Sequence, residues 1–327
     1  MIEAYLYNAD GHDQRMELDE RCVADLGERS LLWVDVLGRD RAELDRLARL
    51  FDLDPSSIRS LLRPQDDFYV DNYGDYFQFD VLALAPADAQ NAEDAFLHRH
   101  PVHLEFLVGP RWVITVHEEE LPFFRAFRAQ DKGETLIGAL TAPALAASLL
   151  DWHLTGYFEA IAELEASVDR LDDAILTRSA KRTLLAGIVA LRRRVAQLRR
   201  LLVAQRVVFY GLSRPDFAHA VEAAAHYRSL ERRFERSVDA ADHARELVDG
   251  SFELFTTRTA ESTNVLVRRL TFITMLLGAI GAVAGIFGMN FDTPYARSGL
   301  VGFWLVVGGL IIATVVGVEI ARRRNWL

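Results

Sequence analysis

Two long stretches without a charged residue constrain the fold of this chain more than any other feature. Residues 270–290 contain no charged side chain, and neither do residues 298–318. A helix rises about 1.5 Å per residue, so about 20 residues span the roughly 30 Å hydrocarbon core of a bilayer. We therefore predict transmembrane helices over residues 268–290 and 300–321, joined by an external loop of residues 291–299. Two buried core helices are the alternative, but little chain is left to cover them.

The charges that flank these stretches predict their orientation in the membrane. Arg268 and Arg269 precede the first stretch, and residues 322–327 follow the second as a basic tail. Between the stretches, the charged residues are Asp292 and Arg297. Because cytoplasmic flanks of membrane helices carry the excess of Lys and Arg, both termini are expected in the cytoplasm, at the inner or plasma membrane.

The composition of the rest of the chain limits its partners and its compartment. A length of 327 residues allows two domains, and a formal net charge of -10 argues against nucleic acid as a partner. The single cysteine, Cys22, excludes an internal disulfide framework and a CxxC metal site, which favours a cytosolic location for most of the mass. Residues 1–10 lack the basic and apolar regions of a signal peptide.

Residues 1–135 have the pattern of a cytosolic α/β domain, so the fold class expected for the soluble part is α+β. Leucines three apart predict a helix over residues 41–51, and Asp54-Pro55 is an N-cap followed by a proline at the first helical position. Another short helix is predicted from Pro122. Short apolar runs predict strands over residues 2–7, 31–36, 76–84, 102–108 and 112–117, with a Gly109-Pro110 turn between the last two.

From residue 136 the periodicity becomes helical. Residues 136–214 are predicted to form a helical hairpin of the cytosolic domain, with helices over residues 142–176 and 183–208. The second helix is strongly basic and contains no Asp or Glu. We expect it to pair with the acidic residues 159–173 of the first helix, and anionic lipid or nucleic acid is the alternative.

The next segment predicts one very long helix. No proline occurs between Pro215 and Pro294. An uninterrupted helix from Pro215 to Gly288 would contain more than 70 residues and measure roughly 110 Å, which exceeds the thickness of a membrane. We therefore predict a stalk over residues 215–267 that enters the bilayer as the first transmembrane helix.

Small and polar residues recur along this helix at alternating intervals of four and three. We call this stripe the seam, and it consists of Glu246, Gly250, Glu253, Thr257, Ala260, Asn264, Val267, Thr271, Thr274, Gly278, Gly281 and Gly285. Heptad spacing is that of parallel helices facing a common axis. Because polar groups at membrane depth are costly unless they meet water or protein, the part from Asn264 to Gly285 is predicted to line a hydrated pore.

Two roles and one alternative follow from the seam. Glu246 and Glu253 would place acidic rings at the cytosolic mouth, where such rings attract cations. Val267 and Leu270 would form an apolar constriction, which is the candidate gate. The alternative is that the GxxxG pair that ends at Gly285 packs membrane helices together without a pore.

The end of the first uncharged stretch resembles a known family. Residues 285–292 have the sequence GIFGMNFD, and a Gly-Met-Asn motif that ends the first of two C-terminal membrane helices is the hallmark of the CorA family of divalent-cation channels. The ending RRRNWL is similar to the family's basic ending in Trp-Leu. Other positions that resemble the family are residues 33–36, 53–62, 73–81 and 114–119, so the likeness covers nearly the whole chain.

This resemblance implies a funnel-shaped homopentamer in membrane lipid, with the long helix of each subunit lining the pore. It implies that Gly288, Met289 and Asn290 form the selectivity filter, with five Asn290 amides at the outer mouth. Amide oxygens can bond to the water shell that Mg²⁺ gives up reluctantly. The implied cargo is Mg²⁺, with Co²⁺ and Ni²⁺ as further candidates. The driving force would be the membrane potential, which contributes about 4.6 kcal/mol per 100 mV for a divalent ion. Neither a cofactor nor an enzymatic activity is expected.

Departures from the family pattern leave a second branch open. Ala279 stands where the family often has proline, Tyr295 where an acidic residue is common, and Arg297 adds positive charge to the loop. Arg232 and Arg233 stand where relatives tend to be acidic, which puts the family's gating by Mg²⁺ between subunits in doubt. The alternative is a zinc transporter of the ZntB type.

Two clusters outside the membrane part contain metal-ligating residue types. Three histidines form an H-x-H-x-x-H pattern: His98, His100 and His103. They predict either a zinc site or a polar loop that enters a strand. Four aspartates form an acidic patch: Asp66, Asp67, Asp71 and Asp75. They form either a solvated loop or a regulatory cation site, whereas His117 beside two glutamates is expected to be a structural partner.

Two other classes of function are compatible with membrane helices. In a membrane-anchored sensor the helices would only dimerise, and Asn290→Ala would be tolerated. A tethered enzyme is the second class, and the sequence has no nucleophile elbow, P-loop or dinucleotide fingerprint to support it.

Overall fold

The computed structural model describes most of the chain as two compact units. The described residues are 1–8, 13–20, 23, 26–27, 29–64, 67–86, 99–130, 137–177, 182–214, 217, 223–288 and 299–323. The first unit contains Met1–Asp172 and Ala186–Ser251, and the second contains Asp173–Leu185 and Phe252–Leu327. The domain limits predicted at residues 135 and 214 lie between elements. The limits of these two units instead fall within long helices, for example between Ser251 and Phe252.

A seven-stranded mixed sheet forms the centre of the first unit. Its order is β2-β1-β3-β7-β6-β5-β4, and the β3–β7 pair is parallel while the others are antiparallel. The strands are β1 (Ile2–Asn8), β2 (Gln14–Met16), β3 (Ser30–Leu37), β4 (Val70–Asn72), β5 (Phe77–Ala85), β6 (His100–Val108) and β7 (Trp112–His117). The five predicted strands are confirmed to within two residues at each end. The edge strands β2 and β4 were missed because three residues are too few to show an alternating pattern.

Two short helices cover one face of the sheet, and the start of the second agrees with the predicted cap at Asp54. Helix α1 (Arg41–Phe51) begins after Asp40, whose side chain accepts a hydrogen bond from the backbone N–H of Glu43 at 3.0 Å. Helix α2 (Pro55–Leu62) begins after Asp54, whose carboxylate accepts from the Ser56 N–H at 2.7 Å. Their apolar side chains join the inner strands in one buried cluster, where each large apolar side chain contributes about 1.5–3 kcal/mol.

The remaining helices differ from the prediction at two points. They are α3 (Pro122–Gln130), α4 (Ala142–Thr177), α5 (Arg182–Ala204), α6 (Arg206–Ser213), α7 (Ala224–Gly288) and α8 (Gly299–Arg323). The prediction of a single helix over residues 183–208 is wrong. The helix is interrupted at Gln205: α5 ends at Ala204, and α6 begins at Arg206. The long helix α7 begins at Ala224 and not at Pro215. Arg214 is extended, with ψ of 136°, as expected for a residue that precedes proline.

The arginines of the basic helix pair with carboxylates of a different helix from the one that we predicted. Three arginines at intervals of seven form an antiparallel ladder with three carboxylates of α7: Arg192 with Asp249 (3.5 Å), Arg199 with Asp242 (2.5 Å) and Arg206 with Glu235 (3.3 Å). The expected pairing with residues 159–173 is therefore wrong for these arginines. Glu163 of that stretch instead binds Arg99, at 3.1 Å. Because the ladder is partly exposed, each pair contributes about 0–1 kcal/mol.

The break at Gln205 has a structural reason in the sheet. Strand β4 pairs with β5 only at residues 77–79, so the edge of β5 beyond them has no strand partner in the described chain. Gln205 Oε1 accepts from the backbone N–H of Leu82 at 3.0 Å, and the Tyr157 hydroxyl donates to the Leu82 carbonyl at 2.7 Å. Gln205 Nε2 donates to Tyr157 Oη at 3.1 Å, and His153 Nε2 lies 3.3 Å from Gln205 Oε1. These side chains replace a missing strand, and all three are buried.

Replacing Gln205 by leucine is expected to destabilise the first unit by about 3 kcal/mol. The change leaves the Leu82 N–H buried without an acceptor, and an unsatisfied buried group costs about 1–3 kcal/mol for each bond that is lost. Urea unfolding of the full chain in detergent, followed by tryptophan fluorescence, measures the loss. Gln197→Leu is the matched control, because half-buried Gln197 accepts one bond from Arg194 at 3.2 Å, and its loss should be below about 1 kcal/mol. Equal losses in the two variants would contradict this role of Gln205.

His153 is expected to make the first unit less stable in acid. Burial lowers the pKa of His153 from 6.5 to about 4, so the ring stays neutral in the fold while it protonates in the unfolded chain. Because the folded pKa is the lower one, stability that is present above pH 6.5 is lost as the pH falls towards 4, by about 3 kcal/mol in total. His153→Gln keeps a side-chain N–H donor and should flatten the stability profile over this range. His100→Gln, at an exposed ring, is the control and should leave the slope unchanged. A parallel fall in His153→Gln and the wild type would refute the assignment.

Candidate functional site

The second unit contains the two helices that are apolar enough to cross a membrane. Among the described residues these are the C-terminal part of α7 and helix α8, and no part of either apolar stretch is buried inside the protein. Large side chains on both are open to the surroundings, such as Leu277 and Trp304, each 63 % exposed. Exposed apolar surface of this extent indicates an apolar environment outside the subunit. The predicted helices at residues 268–290 and 300–321 agree with α7 and α8 over the described residues.

The seam lies on the open face of α7. Its positions from Glu253 to Gly285 are all exposed in the second unit. A second stripe of the same helix is half-buried, and it consists of Phe272, Leu276, Ile280 and Val283. At 3.6 residues per turn, the two stripes lie on roughly opposite sides of the helix. The half-buried stripe is therefore apolar, and the small and polar seam lies on the opposite, open side of the helix, which also carries exposed apolar residues such as Met275.

The glycines of the seam have no packing partner among the described residues of the subunit. A Cβ atom added to Gly278, Gly281 or Gly285 would have no heavy atom of the described chain within 4 Å. Close packing through GxxxG requires a neighbouring backbone at these glycines. The GxxxG pair therefore does not pack α7 against another described part of its own chain. The open face remains available to water or to another copy.

Threonines of the seam present oxygen acceptors. Thr271 Oγ1 donates its hydrogen to the Val267 carbonyl at 2.8 Å, and Thr274 Oγ1 donates to the Leu270 carbonyl at 2.9 Å. Each hydroxyl is a single donor with two lone pairs, so its outward side can only accept. An acceptor surface suits cations and the N–H or O–H groups of ligands, and it does not attract anions.

The predicted gate and mouth residues are accessible in this structure. Val267 and Leu270 are 56 % and 65 % exposed. Glu246, in the first unit, and Glu253, in the second, are also exposed. A residue that lines a shared pore has to be exposed in the single subunit, and these four residues are. Their roles as gate and mouth stay predictions.

The predicted filter lies at the limit of the described chain. Helix α7 ends at Gly288, the first residue of the Gly-Met-Asn motif. Met289 and Asn290 fall outside the described residues, as do the external loop of residues 291–298 and the end of the basic tail. Their assignment rests on the sequence.

The histidine cluster does not form a metal site in the described chain. His98 lies outside the described residues, and the other two bind different carboxylates: His100 Nε2 is 2.9 Å from Glu119 Oε1, and His103 Nδ1 is 3.1 Å from Asp80 Oδ2. Residues three apart in a strand point to opposite faces, so these rings cannot converge. Among the described residues, no group of three or more His, Cys, Asp or Glu is arranged to hold a metal.

His117 has the structural role that the sequence indicated. Its Nε2 lies 2.9 Å from Asp35 Oδ1, and its Nδ1 lies 2.6 Å from the Glu119 carbonyl oxygen. Asp35 also accepts from Arg128 at 2.9 Å. The ring thus joins β3 and β7 to the chain that follows them.

Arg233, one of the departures from the family pattern, is held within the subunit. Its guanidinium donates to Asp151 Oδ2 at 3.0 Å and to Thr155 Oγ1 at 2.7 Å, both on α4. Arg232 is exposed. The basic residue at 233 therefore ties α7 to α4.

Sequence reasoning missed two buried carboxylates in the sheet. Asp80 of β5 and Glu105 of β6 are 2 % and 1 % exposed. Burial raises the pKa of both, although Arg39 opposes the shift at each and His103 opposes it at Asp80. The available signal was a single acid within a mostly apolar strand, as in FQFDVLALA.

Comparison with known proteins connects the helices and the sheet domain to one family. The family model of the CorA-like Mg²⁺ transporter protein matches residues 28–322. The cobalt/magnesium transport protein CorA of Thermotoga maritima is 23 % identical over 303 residues, which cover 90 % of this chain and 83 % of the relative. The divalent cation transporter CmaX of Pseudomonas aeruginosa is 27 % identical over 361 aligned positions, which cover 100 % of this chain and 97 % of the relative.

The fold agrees with this match over the whole length. The complete structure of the CorA magnesium transporter of Methanocaldococcus jannaschii superposes with a TM-score of 0.74 at 19 % identity, and covers 99 % of this chain and 98 % of that one. An α/β soluble domain, a long helix and two apolar C-terminal helices are thus common to both. The resemblance seen at the Gly-Met-Asn motif is confirmed, and the chain belongs to the CorA-like Mg²⁺ transporter family, a family of divalent-cation transporters.

Proposed function

We propose that this protein is a divalent-cation channel in which five copies surround a pore lined by the seam. The expected cargo is Mg²⁺, with Co²⁺ and Ni²⁺ as further substrates. The proposal is in keeping with the relatives, two of which are named for cobalt/magnesium or divalent-cation transport.

The observation that carries the proposal is the open polar face of α7. The seam is exposed, its glycines face open space, and its threonine oxygens are acceptors. In the described chain nothing packs on the seam glycines, and they lie at the depth where two apolar helices predict a bilayer. A polar face at that depth requires water or protein, and parallel copies around an axis supply both.

Conduction would then follow from the order of residues along the seam. Glu246 and Glu253 attract cations at the cytosolic mouth, Val267 and Leu270 form the gate, and the Asn290 amides form the filter at the outer mouth. A ring of neutral amides can bond to the first water shell of Mg²⁺ without removing it. The membrane potential drives cations into the cell, because the cytoplasm is negative. Both termini are expected in the cytoplasm, which puts the filter at the outer mouth.

A zinc transporter of the ZntB type is the alternative within the same superfamily, and ion selectivity decides between the two. The test is metal influx into proteoliposomes that contain the purified chain, with Mg²⁺, Co²⁺, Ni²⁺ and Zn²⁺ compared, each with and without a pH gradient. We expect Mg²⁺, Co²⁺ and Ni²⁺ influx that depends on voltage and not on the pH gradient. Influx of Zn²⁺ alone, or influx that requires the pH gradient, would favour the ZntB type.

A further inference from the structure

Helices α4 and α5 each leave one charged face open in the first unit. On α4 the exposed positions recur at intervals of three and four, and we call them the acidic face: Glu159, Ala162, Ala166 and Asp169. On α5 the same intervals give what we call the basic face: Val189, Arg193, Ala196 and Arg200. Ala196 is half-buried and the other seven residues are exposed. Residues at these intervals are neighbours along one side of a helix, so each face is continuous.

The two arginines of the basic face form no ion pair in the described chain. Each follows a ladder arginine, Arg192 or Arg199, whose carboxylate partner lies on α7. One residue along a helix is a rotation of about 100°, so the ladder and the basic face point in different directions. The subunit therefore satisfies one edge of α5 and leaves the charges of the other edge unpaired.

The acidic face is unpaired in the same way. Glu159 and Asp169 form no ion pair in the part of the chain that the structure describes, whereas Glu163, which lies beside them on α4, binds Arg99 at 3.1 Å. Arg170 lies at the edge of this face and donates to a serine hydroxyl of its own helix at 2.9 Å. The two carboxylates therefore remain available to a cationic group from outside the subunit.

A single subunit cannot bring the two faces together. A Cβ atom added to Gly187 of α5 would lie 3.3 Å from Leu171 Cδ1 of α4, so the helices pack against each other on these sides. Buried Leu164 and Leu191 also lie on the inner sides of α4 and α5. At 3.6 residues per turn, the acidic and basic faces lie roughly opposite these buried residues and point away from the contact between the helices.

We propose that the acidic face of one copy binds the basic face of the next copy, so that α4 and α5 join neighbouring subunits outside the membrane part. The inference rests on the proposed assembly of copies around an axis. A contact between two different faces is heterologous, and such contacts form a closed ring when the rotation closes. The small residues between the charges let two helices approach to the usual distance of about 8–10 Å.

A second copy fits these observations better than a lipid surface does. Both faces belong to the same chain, carry two charges each and are opposite in sign. An anionic lipid surface would satisfy the basic face and leave the acidic face unpaired, whereas a ring of copies covers both faces of every subunit.

The test is crosslinking between cysteines at the centres of the two faces, in the full chain in detergent. Cys22, the single cysteine, is first replaced by serine. Ala166→Cys and Ala196→Cys are then combined and treated with a short bismaleimide. We expect a series of crosslinked bands that ends at five copies. Each single-cysteine variant should stay at one copy, because a heterologous contact brings position 166 to position 196 and not to itself. Ala42→Cys, at an exposed alanine of α1, replaces Ala166→Cys in the control and should give no such series.

Charge reversal shows whether the arginines and carboxylates make the contact. In the double-cysteine variant, Arg193→Glu with Arg200→Glu should lower the yield of crosslinked five-copy product at least five-fold. Adding Glu159→Arg with Asp169→Arg to the same chain should restore the yield to within two-fold, because opposite charges then face each other again. A yield that is unchanged by the first pair of substitutions, or that is not restored by the second, would overturn the proposal.

The remaining outcomes separate this inference from the proposed function. Five assembled copies that conduct Mg²⁺ while the double-cysteine variant gives no crosslinked series would overturn this inference alone. A chain that is monomeric or dimeric would overturn both. Crosslinking of the single-cysteine variants would overturn it, because like faces would then meet. Phosphatidylglycerol retained by the wild type and lost in Arg193→Glu with Arg200→Glu, seen by native mass spectrometry in the absence of the crosslinked series, would assign the basic face to lipid and overturn it as well.

Discussion

Asn290→Ala is expected to abolish Mg²⁺ uptake while the protein still assembles in the membrane. In the proposed pore, five amide oxygens hold the water shell of the ion at the outer mouth, and alanine provides no acceptor there. No other group of the proposed pore replaces this ring of amides at the outer mouth. We therefore expect uptake at the background level of empty vesicles. Uptake is measured in a transport-deficient cell and in proteoliposomes, and assembly is measured by crosslinking.

The control for this variant is an asparagine of the same chain that has no place in the pore. Asn72 lies exposed at the end of β4, where its side chain accepts from the Gly74 N–H at 2.9 Å. Asn72→Ala should transport within two-fold of the wild type. Normal uptake by Asn290→Ala would contradict the filter assignment and favour the anchored sensor.

Gly281→Ile is expected to reduce Mg²⁺ flux at least ten-fold without unfolding the subunit. A Cβ atom added at position 281 meets no heavy atom of the described chain within 4 Å, so we expect the subunit to tolerate a side chain there. Five branched side chains around one axis would instead narrow the pore and remove its water, as apolar constrictions do in other channels. Flux is measured in proteoliposomes at a fixed potential, and the fold is checked by circular dichroism.

The matched control lies on the last helix. Gly309 of α8 is exposed, and an added Cβ there also meets open space. Gly309→Ile makes the same change in a membrane helix that does not carry the seam, and its flux should stay within two-fold of the wild type. If both variants lost flux equally, the loss would report on packing in the membrane and the seam would not be the pore.

Local rules predicted the parts of the fold that depend on a few neighbouring residues. The predicted N-cap at Asp54 follows from one carboxylate and the next backbone N–H groups. The five longer strands and the two apolar helices follow from runs that are long enough to show a period. The family followed from a tripeptide in its context, because the motif ends one apolar stretch just before the next.

Contacts between distant residues decided the parts that were missed. Nothing near Gln205 indicates that its amide completes the edge of β5, 123 residues earlier in the chain. The acidic partners of the basic helix depend on which helix lies beside its arginines. Both α4 and α7 carry acidic residues, so charge alone could not distinguish the ladder with α7 from a pairing with α4. A cavity that Asp80 lines is likewise formed by elements that meet only in the fold, namely α2, β4, β5 and β6.

The candidate site was predictable to the extent that it lies on one helix. The seam is a periodic pattern, so its common face follows from 3.6 residues per turn, and its exposure agrees with that expectation. How many copies share the axis depends on contacts between subunits, which a single sequence does not contain.

The central claim is that identical copies conduct divalent ions through a shared aqueous axis, and the most direct test is voltage-driven Mg²⁺ entry into proteoliposomes of the purified chain. A potassium gradient with valinomycin sets the interior negative, and a fluorescent indicator inside reports Mg²⁺. We predict entry that rises steeply as the interior is made more negative, from an assembly of five crosslinked copies. No entry at any potential, from a protein that is monomeric or dimeric in the bilayer, would contradict the account.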